Sequence, residues 1–223
     1  MKQREICSTD DFYRAVEETR SGHFWFRGED SSNYALLSKF GRSQAKDSRN
    51  DLRKERALLT EFKRRSTPFI QHVPENDWEW LALAQHFGLI TRLLDWTENP
   101  LIAAYFATNK IGRHDRVIYA LDTQNFKYAT LDLSPFELQE VALYRPKHIS
   151  SRISSQSGVF TIHNSPSQVF DDDRLERWLI KIDCKNDINS AIRSYGINHA
   201  FIFPDLDGLS RYLNTMYIWG IVE

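Results

Sequence analysis

Only two cysteines, Cys7 and Cys184, occur among the 223 residues. They carry no zinc-ligand spacing and make no disulfide framework, which fits a reducing compartment. No apolar run approaches the roughly 20 residues that a membrane helix needs. The opening stretch "MKQREICSTDDFYRAVEE" is charged too early for a secretory signal. A cytoplasmic protein with no membrane partner is the expectation. Neither charge dominates: the net charge is −1, so no global field draws the chain to nucleic acid or anionic lipid, and only a local basic patch remains as a route. Several motifs are missing as well. "GRSQAKDSR" lacks the second glycine and the Lys-Ser/Thr pair of a P-loop. There is no GxGxxG and no GxSxG elbow. His148 and His163 are too scattered for a zinc site.

What the chain does have is aromatic rings, 13% of its residues with six Trp, of the kind that build cores and line concave sites. Residues 8–22 read as a helix capped by Ser8 or Thr9, and "HFWFRG" as a short strand ended by Gly28. Residues 31–50 read as a polar loop. "DLRKERALLTEFKRRSTPFI" predicts an amphipathic helix with Asp51 as cap, a stripe of Leu52, Leu58, Leu59, Phe62 and Phe69, and a basic outer face. "ENDWEWLALAQHFG" predicts a helix capped by Asn76 or Asp77, followed by an irregular connection "LITRLLDWT". "NPLIAAYFATNKIG" predicts a helix with Asn99 as cap and Pro100 at its first position. Beyond Gly112 the period changes. Strands are expected at "RVIYALD", "EVALYRP", after Gly158 and at "LERWLIKIDC". A helix follows near Asn186, then a short strand at "HAFIF" and a last helix. The order predicts an α+β domain, its helical N-terminal half packed on a mixed, mostly antiparallel sheet.

Three constellations carry chemistry. In "HFWFRGED" the Arg27 guanidinium offers a planar fork for phosphate or carboxylate, and Gly28 leaves room for a close ligand. A salt bridge to Glu29, Asp30 or Asp95 explains the same residue without a ligand. In "QHFGLITRLLDWTENPLIAAYFA" the polar groups His86, Thr91, Arg92, Asp95, Trp96, Thr97 and Asn99 alternate with large apolar side chains. That pattern places them half buried, where charges need partners. Arg92 and Asp95 either pair with each other or face a ligand. In "RISSQSGVFTIHN" Gln156 either lines a pocket or belongs to a turn. The basic helix is either a nucleic-acid contact or a solvated face, since Glu55 and Glu61 interrupt its positive run. His86, Asp95 and Glu98 as a nuclease metal site match no known ligand spacing.

The blocks "FWFRGED", "AQHFGLITRLLDWTENPLIAAYFA", "SSQSGVFTIHN" and "INHAFIFPDLDGLSRYL", in this order, resemble the FRG domain. That bacterial and phage family is named for Phe-Arg-Gly, here Phe26, Arg27 and Gly28. The likeness covers nearly the whole chain, so residues 1–223 are expected to form a single FRG domain. More distantly, the aromatic-Arg-Gly-acid strand end and the Thr97-to-"AYFA" segment resemble arginine-type ADP-ribosyltransferases. That likeness implies an ADP-ribosyltransferase-like fold and NAD as substrate. It also implies transfer to a protein or nucleic-acid acceptor, and an effector of toxin or antiviral-defence type. By the resemblance, Arg27 grips the pyrophosphate, with Gly28, His86, Thr91, Arg92 and Trp96 completing the binding set. Thr97 or Thr91 bonds ribose or nicotinamide, and Gln156 orients the ribose or acceptor. The superfamily's third-motif glutamate falls on Gly158 here. Asp95 is therefore assigned the acid role, with Glu29 and Glu98 as alternatives. The other reading is a non-catalytic nucleotide or nucleic-acid binding module on the same fold.

Overall fold

Seven strands form one sheet in the order β1-β7-β4-β2-β3-β6-β5 in the computed structural model, which describes residues 1–20, 22–46, 52–147, 154–218 and 220. The strands are β1 Lys2–Ile6, β2 Phe24–Glu29, β3 Leu93–Thr97, β4 Arg116–Asp122, β5 Ala142–Tyr144, β6 Gly158–Ile162 and β7 Leu175–Ile180. All neighbours are antiparallel except β1 and β7. The helices are α1 Thr9–Glu18, α2 Lys39–Lys46, α3 Leu52–Ser66, α4 Asp77–His86, α5 Pro100–Thr108, α6 Lys185–Ser194, α7 His199–Ile202 and α8 Leu206–Ile218. Among the described residues no helix is long and apolar enough to cross a membrane.

Caps fall where short polar side chains meet apolar runs. Ser8 Oγ accepts from Asp11 N at 3.1 Å, Asn76 Oδ1 from Glu79 N at 3.0 Å and Asn99 Oδ1 from Leu101 N at 2.9 Å. Asp51, expected to cap α3, and His148 lie outside the described residues. Four elements differ from the sequence reading. β1 is a strand of mostly exposed polar residues, held by backbone pairing to β7 rather than by an apolar face. α2 lies within the expected loop, started by Ser38 Oγ accepting from Gly41 N and seated by buried Phe40. The connection at residues 93–97 is a ladder strand, β3. The expected strand at residues 199–203 is a helical turn capped by Asn198, whose Oδ1 accepts from Phe201 N.

One face of the sheet carries two separate cores. α1, α5 and α6 pack on Phe26, Ile118, Ala120, Trp178 and Ile180 of the β1-β7-β4-β2 half. α3 and α4 pack on Leu93, Ala142, Tyr144, Phe160 and Ile162 of the other half. The opposite face closes over Trp25, Leu94, Trp96, Val117, Tyr119, Val159 and Phe170. The division follows from the sheet itself: β2 and β3 share a single register pair, Phe26 with Thr97, whereas β2 and β4 share six.

Two contacts set the helices on this split sheet. A Cβ on Gly28 would lie 1.8 Å from the Ala103 carbonyl oxygen and 2.8 Å from the Ala107 nitrogen. Gly28 is therefore required by the close seating of α5 on β2, and the empty space beside it is filled by helix rather than by a ligand. The second contact is a buried ion pair. Arg92 and Glu55 are each 1% exposed in their side chains, with Nη2 2.8 Å and Nε 2.9 Å from Oε2. Glu55 Oε1 also accepts from Arg92 N at 2.8 Å, and the guanidinium lies 4.8 Å from the Phe136 ring centre. Burial pushes the Glu55 carboxyl up, against the pull of Arg92. The buried face of α3 thus includes Glu55, Leu59 and Ser66, with Phe62 half buried, whereas Leu58 and Phe69 of the expected stripe are exposed.

On the opposite face Trp96 Nε1 donates to Thr161 Oγ1 at 2.9 Å, and Thr161 lies 2.9 Å from His163 Nε2. The Thr161 hydroxyl, with one proton and a second lone pair, can bond either tautomer of the neutral His163 ring. Burial, with Arg27 and Arg92 adding, lowers the His163 pKa to about 4.

Three outcomes follow from this packing. Gly28→Ala must move α5 off β2, and we expect a loss of about 3 kcal/mol in denaturant unfolding. Glu55→Ala strands a guanidinium in the core and is expected to cost about 3–5 kcal/mol by the same measurement. The unfolded chain protonates His163 near pH 6.5, whereas the folded protein resists down to about 4. Stability therefore falls as pH drops below about 6.5, by about 2 kcal/mol at pH 5 from this group alone. Unfolding free energies at pH 7, 6 and 5 should show a slope reduced by about one proton in His163→Gln. Equal slopes in the two proteins would rule this role out.

Candidate active site

β2 and β3 part after the Phe26–Thr97 pair, and Arg27 spans the opening. Its Nη1 donates to the Asp95 carbonyl oxygen at 2.7 Å, replacing the ladder contact the strands no longer make. Nε and Nη2 lie 2.8 and 2.6 Å from Glu29 Oε1, and Nη1 lies 3.7 Å from Asp95 Oδ2. Burial opposes the Arg27 charge, but Glu29 and Asp95 outweigh it and hold the guanidinium above its ordinary pKa. A guanidinium has five N–H donors, and three of the atoms' contacts are internal, which leaves two N–H groups on the Nη atoms.

A cleft of about 580 Å³ opens beside it. That volume lies within the range of small-molecule sites. β2 supplies Arg27, Gly28 and Glu29; β3 supplies Asp95, Trp96 and Thr97; α4 supplies Gln85 and His86; Gln156 closes one end. The Asp95 carboxylate is 52% exposed, and its Oδ2 accepts from Gln85 Nε2 at 2.9 Å. Thr97 Oγ1 donates to the Gln156 carbonyl at 2.7 Å and accepts from Asn99 N at 3.1 Å, fastening β3 to the segment before β6. Gln156 Nε2 donates to the Ile202 carbonyl at 3.1 Å, which ties α7 to the same end. The far wall is fixed by buried Arg116. Its Nη1 donates to the Asp30 carbonyl and its Nη2 to the Lys110 carbonyl, while Lys110 Nζ and Asp30 Oδ2 pair at 2.8 Å.

The fold therefore brings Arg27, Gly28, His86, Asp95, Trp96, Thr97 and Gln156 to one hollow. It does not bring Thr91 or Arg92 there. Thr91 is fully buried and donates to Gln85 Oε1 at 2.6 Å, and Arg92 is spent on Glu55. Arg92 and Asp95, expected as a candidate pair, have different partners: Arg92, just before β3, turns to Glu55 of α3, whereas Asp95 within β3 lies beside Arg27 and Gln85. Trp96 touches the cleft, but its indole is 3% exposed and packed edge-on to Phe170, so it has no open face for stacking. Glu98, the third candidate acid, pairs with Arg145 at 2.5 Å. Sequence reasoning passed over Gln85, Lys39 and Lys110. The glutamine was legible only as a neighbour of His86 in the polar block, and neither lysine belongs to one of the motif blocks.

The basic face of α3 is largely neutralised within the chain. Lys63 pairs with Asp77, Arg64 and Arg65 with Glu61, and Arg56 with Glu137. Among the described residues no group of three or more His, Cys, Asp and Glu side chains is placed to hold a metal ion.

Comparison with known proteins gives one result. No curated protein and no solved structure matches the chain. Residues 22–116 match the model of the FRG domain family. That stretch runs from the start of β2 to the first residue of β4 and holds α4, β3 and α5, the elements that wall the cleft. Over that stretch, somewhat under half of its length, the chain is similar to the FRG domain family.

Proposed function

We propose that the cleft binds NAD and that the protein cleaves the bond between nicotinamide and ribose, passing ADP-ribose to water or to a protein or nucleic-acid acceptor. The observation that carries this reading is Asp95. It is an anchored, half-exposed carboxylate in a hollow whose other acids, Glu29 and Asp30, are paired with Arg27 and Lys110. As the glycosidic bond breaks, its electron pair leaves with nicotinamide and positive charge develops at the ribose carbon. Asp95 would stabilise that charge, and a preorganised group of this kind is worth several kcal/mol. The nucleophile then adds at the same carbon and loses its proton.

The other residues take supporting roles in this reading. Arg27 sets the backbone and carboxylate of Asp95 and offers its two remaining N–H groups to a phosphate or ribose oxygen. Lys39 lines the cleft on α2 and supplies a cation for the pyrophosphate. Thr97 and Gln156 hold the end of the cleft closed rather than serving as free ligand donors, since their hydrogen bonds are internal. Gly158 stands where the superfamily's glutamate would, so the acid comes from β3 instead.

The test is nicotinamide release from NAD by the folded protein, alone and with protein, DNA or RNA acceptors, followed by chromatography. Asp95→Asn is expected to lower the rate by about 10²–10³ while leaving the circular dichroism unchanged. No release with any acceptor, together with no NAD binding by calorimetry, would overturn the reading.

A further inference from the structure

Gln85 is the last fully enclosed residue of α4, 6% exposed, next to half-buried His86 at the cleft. A buried carboxamide is stable only if its donor and acceptor ends both find partners. Here the two ends are distinguishable. The Leu93 carbonyl and the Asp95 carboxylate can only accept, so the Gln85 atom facing them is the amide nitrogen. The atom 2.6 Å from Thr91 is then the carbonyl oxygen, to which Thr91 donates while accepting from Leu93 N at 3.2 Å. The amide nitrogen is turned to β3, where it reaches Asp95 Oδ2 at 2.9 Å and the Leu93 carbonyl at 3.5 Å. The chain Leu93 N, Thr91, Gln85, Asp95 runs in one direction because it ends on a carboxylate, which can only accept.

We propose that Gln85 is the positioning residue of the cleft: locked by Thr91, its amide holds one oxygen of Asp95 so that the other is presented to the ligand. The inference rests on the reading of Asp95 as the acid that faces the substrate. It also gives Thr91 a role that a ligand contact does not. Fully buried and away from the cleft, Thr91 holds the carbonyl end of Gln85 while the amide end reaches Asp95. Arg27 approaches the same carboxylate from β2 at 3.7 Å, too long for a hydrogen bond, so the short directional contact is the one from α4.

Two measurements test this, and they fail separately. In nitrogen-15-labelled protein, the Gln85 side-chain NH₂ signals, assigned by their loss in Gln85→Met, should exchange with solvent about tenfold more slowly than those of exposed glutamines. They should also shift in Asp95→Ala. Signals that exchange freely, or that ignore Asp95→Ala, overturn the proposal whether or not the protein is an enzyme. In nicotinamide release, Gln85→Met and Thr91→Val should each lower kcat about tenfold or more with KM nearly unchanged. Gln85→Met should add nothing in an Asp95→Asn background, because a residue acting only through Asp95 has nothing left to position. An equal loss from Gln85→Met in both backgrounds would make Gln85 a general packing residue and overturn the proposal. Absence of release by the unaltered protein would instead strike the enzymatic reading, and the exchange measurement would still decide the positioning claim.

Discussion

The architecture of the site depends on one strand pairing that stops early. β2 and β3 meet at Phe26 and Thr97 and then diverge. Backbone groups left without a ladder partner inside a fold are costly, so the divergence has to be stabilised by something else. Arg27 does this: its guanidinium reaches across to the Asp95 carbonyl, and Glu29 offsets its charge. A neutral donor would satisfy the carbonyl as well. A guanidinium does more, because it also lies beside the Asp95 carboxylate and lines the hollow itself. The same gap divides the helical layer into two cores, one under α5 and one under α4.

The residues of the Phe-Arg-Gly stretch then have separate tasks. Phe26 belongs to the core under α5, Arg27 bridges the strands, and Gly28 lets Ala103 and Ala107 of α5 approach the backbone. In the second block the division is similar. Thr91 and Arg92 stabilise the scaffold from inside, Asp95 faces outward, and Thr97 fastens the strand end to Gln156. Three of these four polar residues therefore build the scaffold, and one, Asp95, faces outward. Unpaired, Arg92 would be an uncompensated buried charge; paired to Glu55 it fixes α3 against the start of β3.

The helices α1, α4 and α5 were legible in the sequence because each opens on a short polar cap directly ahead of its apolar residues. So was the convergence of Arg27, Asp95, Thr97 and Gln156, through the order of the motif blocks. What stayed hidden has physical causes. β1 has no apolar face, so its pairing to β7 leaves no periodic trace. β3 is short and buried on both sides apart from Asp95, and reads as irregular. Glu55 looked like a break in a basic surface, since nothing local tells a buried carboxylate from an exposed one; its partner is 37 residues away. Gly28 was read as space for a ligand, and only the position of α5 shows what occupies it. Gln85 carries no charge and no motif signature, and its meaning comes from the Thr91 and Asp95 contacts on either side.

The claim that the opening between β2 and β3 is where a nucleotide binds is tested most directly by titrating labelled protein with ADP-ribose and mapping the backbone amide shifts. The account predicts that the largest shifts cluster on Arg27, Gly28, Asp95, Trp96 and Gln156, with the basic face of α3 silent. Shifts confined to α3, or spread evenly over the surface with the β2–β3 opening unmoved, would contradict it.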